Sequence, residues 1–171
     1  MSRVGRPGAE RPLFAEFRTE RLRVVAQTRE EMKTAKRNGP FSEAVGELLL
    51  RARRDLPSRF GWYSNRLIYR VEDGCLVGSL AFMNSPEKDP DRKGLVELGY
   101  ETLDPFRGMG YMTEAVSAAR DWALSRPKVH GIICGVKRDN PASVRVLQKC
   151  GFHKTDESDL LDLEVWQYDS N

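Results

Sequence analysis

No stretch of this chain has the 18 or so consecutive apolar residues of a membrane span. The residues after Met1 also lack the apolar core of a secretory signal. Cysteine is scarce. Cys75, Cys134 and Cys150 are odd in number and carry no metal-type spacing, which argues against a full disulfide framework and against a Cys/His metal site. Each sits in an apolar pattern, so all three are expected as buried free thiols. The two histidines, His130 and His153, have no partner pattern and read as structural. Charge is nearly balanced at +3, so neither a nucleic-acid nor a membrane partner is expected. The basic cluster Arg51-Ala52-Arg53-Arg54 reads as a solvated helix C-terminus, where cations are favoured. There is no internal repeat. These absences predict a cytoplasmic globular protein: a loose Gly/Pro/Arg-rich segment over 1–12, then one domain over 13–171.

What is present alternates between two periods. Leu22 to Val25 reads as a first strand. Thr28-Arg29-Glu30-Glu31 is a capping box opening a short helix that ends at Asn38-Gly39-Pro40. Phe41, Val45, Leu48, Leu49 and Ala52 recur at helical spacing. Two strands, Leu67 to Glu72 and Cys75 to Met83, flank Asp73-Gly74, a hairpin turn signal. A strand over Val96–Leu103, a helix over Thr113–Ser125 and a strand over Val129–Val136 follow. Asn140 can cap the next helix, with Pro141 at its first position and Gly151 at its end. Phe152 to Thr155 and Leu163 to Tyr168 form a closing strand pair. The order implies an α/β fold: a mixed twisted sheet of about six to seven strands flanked by helices.

Between the fourth strand and the helix stands Arg107-Gly108-Met109-Gly110-Tyr111-Met112-Thr113. Two glycines at a helix mouth let a backbone approach an anion closely, and the helix start offers unpaired N–H groups. The same pair also fits an ordinary turn. Neither the Gly-Lys-[Ser/Thr] of a P-loop nor the third glycine of a dinucleotide fingerprint is present. About thirty residues on come Asn140-Pro141-Ala142-Ser143, Val146-Leu147 and Gly151-Phe152.

The two blocks together resemble the GNAT superfamily of acyl-CoA-dependent N-acyltransferases. Within it, Thr19-Glu20-Arg21-Leu22, Glu97-Leu98-Gly99-Tyr100 and Gly110-Tyr111-Met112-Thr113-Glu114-Ala115 are similar to the RimJ/RimL-like branch of ribosomal-protein N-terminal acetyltransferases. The resemblance spans roughly Thr19 to Tyr168. It implies acetyl-CoA as cosubstrate, no metal, and an amine acceptor, either a protein N-terminus or a small molecule. A non-catalytic acyl-CoA-binding module is the alternative outside enzymes. The acyl group and the choice between monomer and homodimer stay open.

By that resemblance, backbone N–H groups over Arg107, Gly108, Met109, Gly110, Tyr111, Met112 and Thr113 bind pyrophosphate. Leu98 and Tyr100 supply backbone groups to the pantetheine arm where their strand splays from its neighbour. Asn140 contacts the same arm, and Ser143 assists departure of the thiolate. The family's first loop position is Gln or Arg, whereas this chain has Pro105. The family's Glu and Tyr acid–base pair falls on Gly135 and Leu147, which cannot move protons. Glu97 is then the leading base, ahead of Glu101, Asp162 and Glu164. Trp62, Tyr63 and Trp166 are expected in packing roles.

Overall fold

The computed structural model describes residues 16–92 and 94–170; the segment expected to be loose at 1–12 lies outside them. In chain order the elements are β1 (Glu16–Arg18), β2 (Leu22–Ala26), α1 (Arg29–Asn38), α2 (Ser42–Ala52), α3 (Phe60–Tyr63), β3 (Arg66–Arg70), β4 (Leu76–Phe82), β5 (Leu95–Thr102), α4 (Tyr111–Leu124), β6 (Gly131–Lys137), α5 (Pro141–Lys149), β7 (His153–Ser158) and β8 (Leu163–Asp169). Single 3₁₀ turns at Pro57–Arg59 and Asp104–Phe106 precede α3 and follow β5. The strands form one sheet in the order β1-β2-β3-β4-β5-β6-β8-β7. That is one strand more than the sequence pattern suggests. The addition is β1, three residues with no apolar alternation, which exists by pairing with β2.

Helices cover both faces. Ile68 packs in the cluster under α4 and α5, while its neighbour Leu67 packs against the cluster of Met32, Phe41, Val45 and Leu48 from α1 and α2. Adjacent strand residues point to opposite faces, so a strand buried on both sides reads as a continuous apolar run. β4 is such a run, buried along nearly its whole length.

Local signals set the element ends. Thr28 accepts from the Glu31 N–H, and the Glu31 carboxylate accepts from the Thr28 N–H, closing the capping box of α1. At the end of α5, Phe152 N–H bonds the Leu147 carbonyl and Gly151 N–H bonds that of Gln148, a Schellman closure. One expectation fails here. Cys134 and Cys150 are buried, but Cys75 is exposed. It belongs to the hairpin turn, where its N–H donates to Asp73, and β4 begins one residue later.

The feature that shapes the site is the pairing of β5. It runs antiparallel to β4 from Leu98 to Thr102, but parallel to β6 only over Leu95–Glu97. Beyond Glu97 the two parallel strands part, and β6 continues along β8 to Lys137.

Candidate active site

The gap between β5 and β6 opens into a cleft of about 470 Å³, walled by the end of β5, the loop before α4, the first turn of α4 and one face of α5. Gly108 and Gly110 adopt φ of +73° and +80°, a region costly to residues with a Cβ. A Cβ at Gly108 would meet nothing within 4 Å, so the space before it is open. Gly110 is the N-cap of α4, and among the described residues no side chain caps that helix. The N–H groups of its first turn therefore lack intrahelical acceptors. Tyr111, Met112 and Thr113 all line the cleft. Thr113 is not the cap; its carbonyl accepts from the Cys150 thiol. Helix α4 begins two residues before the expected Thr113, because a glycine N-cap carries no side-chain signal.

Arg107 lines the cleft while paired with Asp104 at 2.9 Å. Met109 is half-exposed and absent from the lining. Pro105, the departure from the family's loop, is the second residue of the 3₁₀ turn, where its missing N–H would have no partner within the turn anyway. Lys137, Arg145 and Lys149 join Arg107 around the cleft, against the two carboxylates Glu101 and Asp139. The sequence reading missed these three cations. Arg145 and Lys149 are four apart on α5 and so share a face, a pattern visible once Asn140 fixes the start of that helix.

Asn140 caps α5 through Oδ1, which accepts from the Ser143 N–H at 3.2 Å, and it also lines the cleft. The Ser143 hydroxyl does not cap the helix. It donates to the Tyr100 hydroxyl at 3.0 Å, and that hydroxyl reaches the Ser143 carbonyl at 3.3 Å. Burial pushes the Tyr100 phenol well above its ordinary pKa, so it stays protonated. Burial likewise raises the Cys134 thiol, although the Leu98 backbone hydrogen-bonds its sulfur. The Leu98 side chain is core, and its backbone borders the gap.

Glu97 stands apart from this cleft. It alternates with Leu98 along β5, as does Gly99, whose Cβ position looks onto Met83 in the α1–α2 cluster. Glu97 therefore leaves the strand on the α1–α2 face. Its backbone N–H donates to Asn84 at 2.7 Å, and its carboxylate makes no hydrogen bond or ion pair among the described residues. Glu101 is exposed at the cleft rim. Asp162, at φ +52°, sits in the β7–β8 turn near Arg138. Hydrogen bonds from Trp166 and Lys154 hold the Glu164 carboxyl below its ordinary pKa. Trp62 packs edge-on against Phe82 and Trp122, Tyr63 bonds Asp55, and Trp166 is buried. His130 and His153 are exposed.

This arrangement, an uncapped helix behind a Gly-x-Gly turn at the open end of two parting parallel strands, defines a class. Residues 11–153 match the acetyltransferase (GNAT) domain, and the chain belongs to that family. YjcK of Bacillus subtilis, named as an N-acetyltransferase, is 46% identical over 90 residues, 51% of this chain and 46% of the relative. YjdG of the same organism, also named as an N-acetyltransferase, is 34% identical over 98 residues, 56% of each chain. The chain thus spans about half the length of the curated relatives it matches. Among solved structures, a ribosomal-protein alanine acetyltransferase of Vibrio fischeri superposes with a TM-score of 0.64 at 16% identity, covering 91% of this chain and 96% of the other. An acetyltransferase of Agrobacterium tumefaciens gives 0.61 at 23% identity, covering 91% and 94%. At these identities the likeness is one of fold.

Proposed function

We propose that the chain transfers an acetyl group from acetyl-CoA to a primary amine by direct attack. The observation that carries this reading is the continuity of one cleft, from the open N-terminus of α4, past Ser143, to Tyr100 on the part of β5 that has left β6. Acetyl-CoA, when bound, supplies the acetyl group already activated as a thioester.

The residues present fit such a ligand. First-turn N–H groups and the positive end of the α4 dipole favour a pyrophosphate. Arg107, Lys137, Arg145 and Lys149 add charge at the rim. The unpaired edge of β5 from Leu98 to Tyr100 offers backbone groups to an amide-bearing arm, as a missing strand would. The Leu98 N–H faces the gap and there meets only the weakly accepting Cys134 sulfur, which a carbonyl oxygen that gains charge during attack would displace. Ser143 and the protonated Tyr100 place two hydroxyls where a thiolate would leave. Glu97, on the α1–α2 face, takes or relays the amine proton from the side opposite the cleft.

The acceptor best suited to a site whose leading base is one part-buried carboxylate is an α-amine. With a pKa near 8, about a tenth of an α-amine is neutral at pH 7, against less than about 0.1% of a lysine amine. A protein N-terminus is the acceptor this favours, within a RimJ/RimL-like, cytoplasmic setting. The test is a screen of N-terminal peptides and small amines with acetyl-CoA, following thiol release. Gly110→Glu sets bulk and negative charge at the loop, and acetyl-CoA affinity should fall beyond calorimetric detection. Unchanged binding by the folded variant would remove the loop from the site. Thiol release that no amine stimulates would favour an acyl-CoA-binding module.

A further inference from the structure

The Thr19-Glu20-Arg21-Leu22 segment lies far from the cleft in sequence and does not line it. In space it backs directly onto the glycine loop. Thr19 Oγ1 donates to Glu114 in the first turns of α4. The Arg21 backbone N–H donates to Glu114 Oε1 at 2.9 Å, and Arg21 Nε donates to Oε2 at 2.7 Å. Arg21 Nη1 donates to the Met109 carbonyl at 3.1 Å. The guanidinium also lies 4.6 Å from the centroid of the Tyr111 ring. One arginine therefore holds the helix, the loop and the β1–β2 turn together. The turn is itself closed by Thr19 N–H on the Leu22 carbonyl and Leu22 N–H on the Thr19 hydroxyl.

The contact with the Met109 carbonyl has a directional consequence. In a trans peptide the C=O and the following N–H point in opposite directions. Fixing the Met109 oxygen on Arg21 turns the Gly110 N–H away from Arg21. Gly108 and Gly110 line the cleft and Met109 does not, which is the arrangement this peptide orientation requires. Two glycines at positive φ, left to themselves, would sample other orientations and lose that freedom on binding. Glu114 makes the anchor specific. Burial would raise its pKa, but hydrogen bonds from Thr19 and Arg21 hold it below the ordinary value, so it stays ionised opposite the guanidinium.

We propose that Arg21 is a positioning residue of the anion-binding loop: held by Glu114, it orients the Met109–Gly110 peptide so that the Gly110 N–H faces the cleft. The proposal rests on the reading of that loop as the acetyl-CoA site. It assigns a task to residues that touch no ligand.

The test compares the wild type, Arg21→Ala and Arg21→Lys. Each is measured for acetyl-CoA affinity by calorimetry, for KM and kcat, and for amide exchange at Gly110. Loss of one charge-assisted bond to the loop should weaken acetyl-CoA binding about tenfold in Arg21→Ala. The loss should fall on KM for acetyl-CoA rather than on kcat, with faster exchange at Gly110 and unchanged exchange in β4. Arg21→Lys keeps the charge but cannot fork between Glu114 and Met109, so it should show most of the same loss. If Arg21→Ala does not fold, Arg21→Lys carries the test alone. Acetyl-CoA affinity within twofold of wild type in a folded variant, with only the melting temperature lowered, would overturn the proposal and leave the loop assignment standing. A wild type that does not bind acetyl-CoA would overturn both.

Discussion

Glu97 and Tyr100 lie three residues apart on β5, so they leave the strand on opposite faces. The phenol joins Ser143 in the cleft, and the carboxylate looks toward α1 and α2. Proton removal from the amine and proton delivery to the leaving thiolate can thus be separated by a single strand. This makes Glu97→Gln a clean probe. It keeps the shape, removes the basicity and leaves the Tyr100–Ser143 pair untouched, so acetyl-CoA affinity should be retained. General-base catalysis contributes typically about 10²–10⁴-fold. The fall in kcat/KM near pH 7 should reach at least the lower end of that range. It should shrink as pH rises, because more of the acceptor amine is then neutral in solution and needs no base. A pH–rate profile within threefold of wild type throughout would make Glu97 structural and leave positioning as the source of rate.

At the scale of elements, the site depends on β5 being held on one edge only. From Leu98 onward its paired neighbour is β4, where Gly78 stands opposite Thr102. A Cβ there would stand 2.3 Å from the Glu101 carbonyl oxygen, so Gly78→Ala must push the end of β5 sideways into the gap. The expected result is a loss of about 1–3 kcal/mol of stability, the usual cost of overpacking, read by denaturant titration. KM for acetyl-CoA should rise with it, because the displaced strand forms a cleft wall. A destabilised variant with an unchanged KM would show that β5 holds its edge by other means. This dependence also marks what the sequence could and could not reveal. Signals confined to a few adjacent residues were legible: the Thr28 capping box, the Asp73-Gly74 hairpin, the Gly108-Met109-Gly110 loop, and the Asn140 cap with its proline. Each is a backbone requirement met by its neighbours. The three-residue β1 was not legible, because its pairing with β2 and not its own pattern makes it a strand. Cys75 was misplaced by a one-residue shift of the strand start. The Arg21–Glu114 bond was invisible for a different reason. Its partners are 93 residues apart, and no local periodicity encodes a contact between a turn and a helix that meet only after the sheet has formed.

The described residues are tied together away from the cleft by one buried carboxylate. Asp55 follows α2, with its side chain only 2% exposed. It accepts from the Ser85 hydroxyl at 2.6 Å, the Tyr63 phenol at 2.7 Å, the Leu56 N–H at 2.8 Å and Arg59 Nη1 at 3.0 Å. Ser85 belongs to the β4–β5 connection and Tyr63 to α3. Arg59 extends the network to Glu87, which also pairs with Lys128 just before β6. One charge thus joins the helical pair of the first half to the loops that carry β5 and β6. Burial alone would raise the Asp55 carboxyl. The bonds from Ser85, Tyr63, Leu56 and Arg59 outweigh it and hold the pKa at about 2, against an ordinary value of 3.8. A folded-state pKa below the unfolded one stabilises fully above the unfolded value and ceases to do so as pH falls through the folded value. The contribution of Asp55 is therefore complete above about pH 4 and gone near pH 2, and a shift of this size is worth about 2 kcal/mol. Other carboxylates with lowered pKa, Glu114 and Glu164 among them, add their own acid sensitivity. Comparison with Asp55→Asn isolates this one. The variant keeps the volume but loses the charge that four donors share, so it should unfold more easily than wild type by about 2 kcal/mol at pH 7. The two stability curves should converge between pH 4 and pH 2, where wild-type Asp55 becomes protonated as well. Denaturant titrations at a series of pH values read the difference directly. A gap between the curves that stayed constant down to pH 2 would assign the cost to the mismatched amide donor and remove the ionised carboxylate as the tie between the two halves.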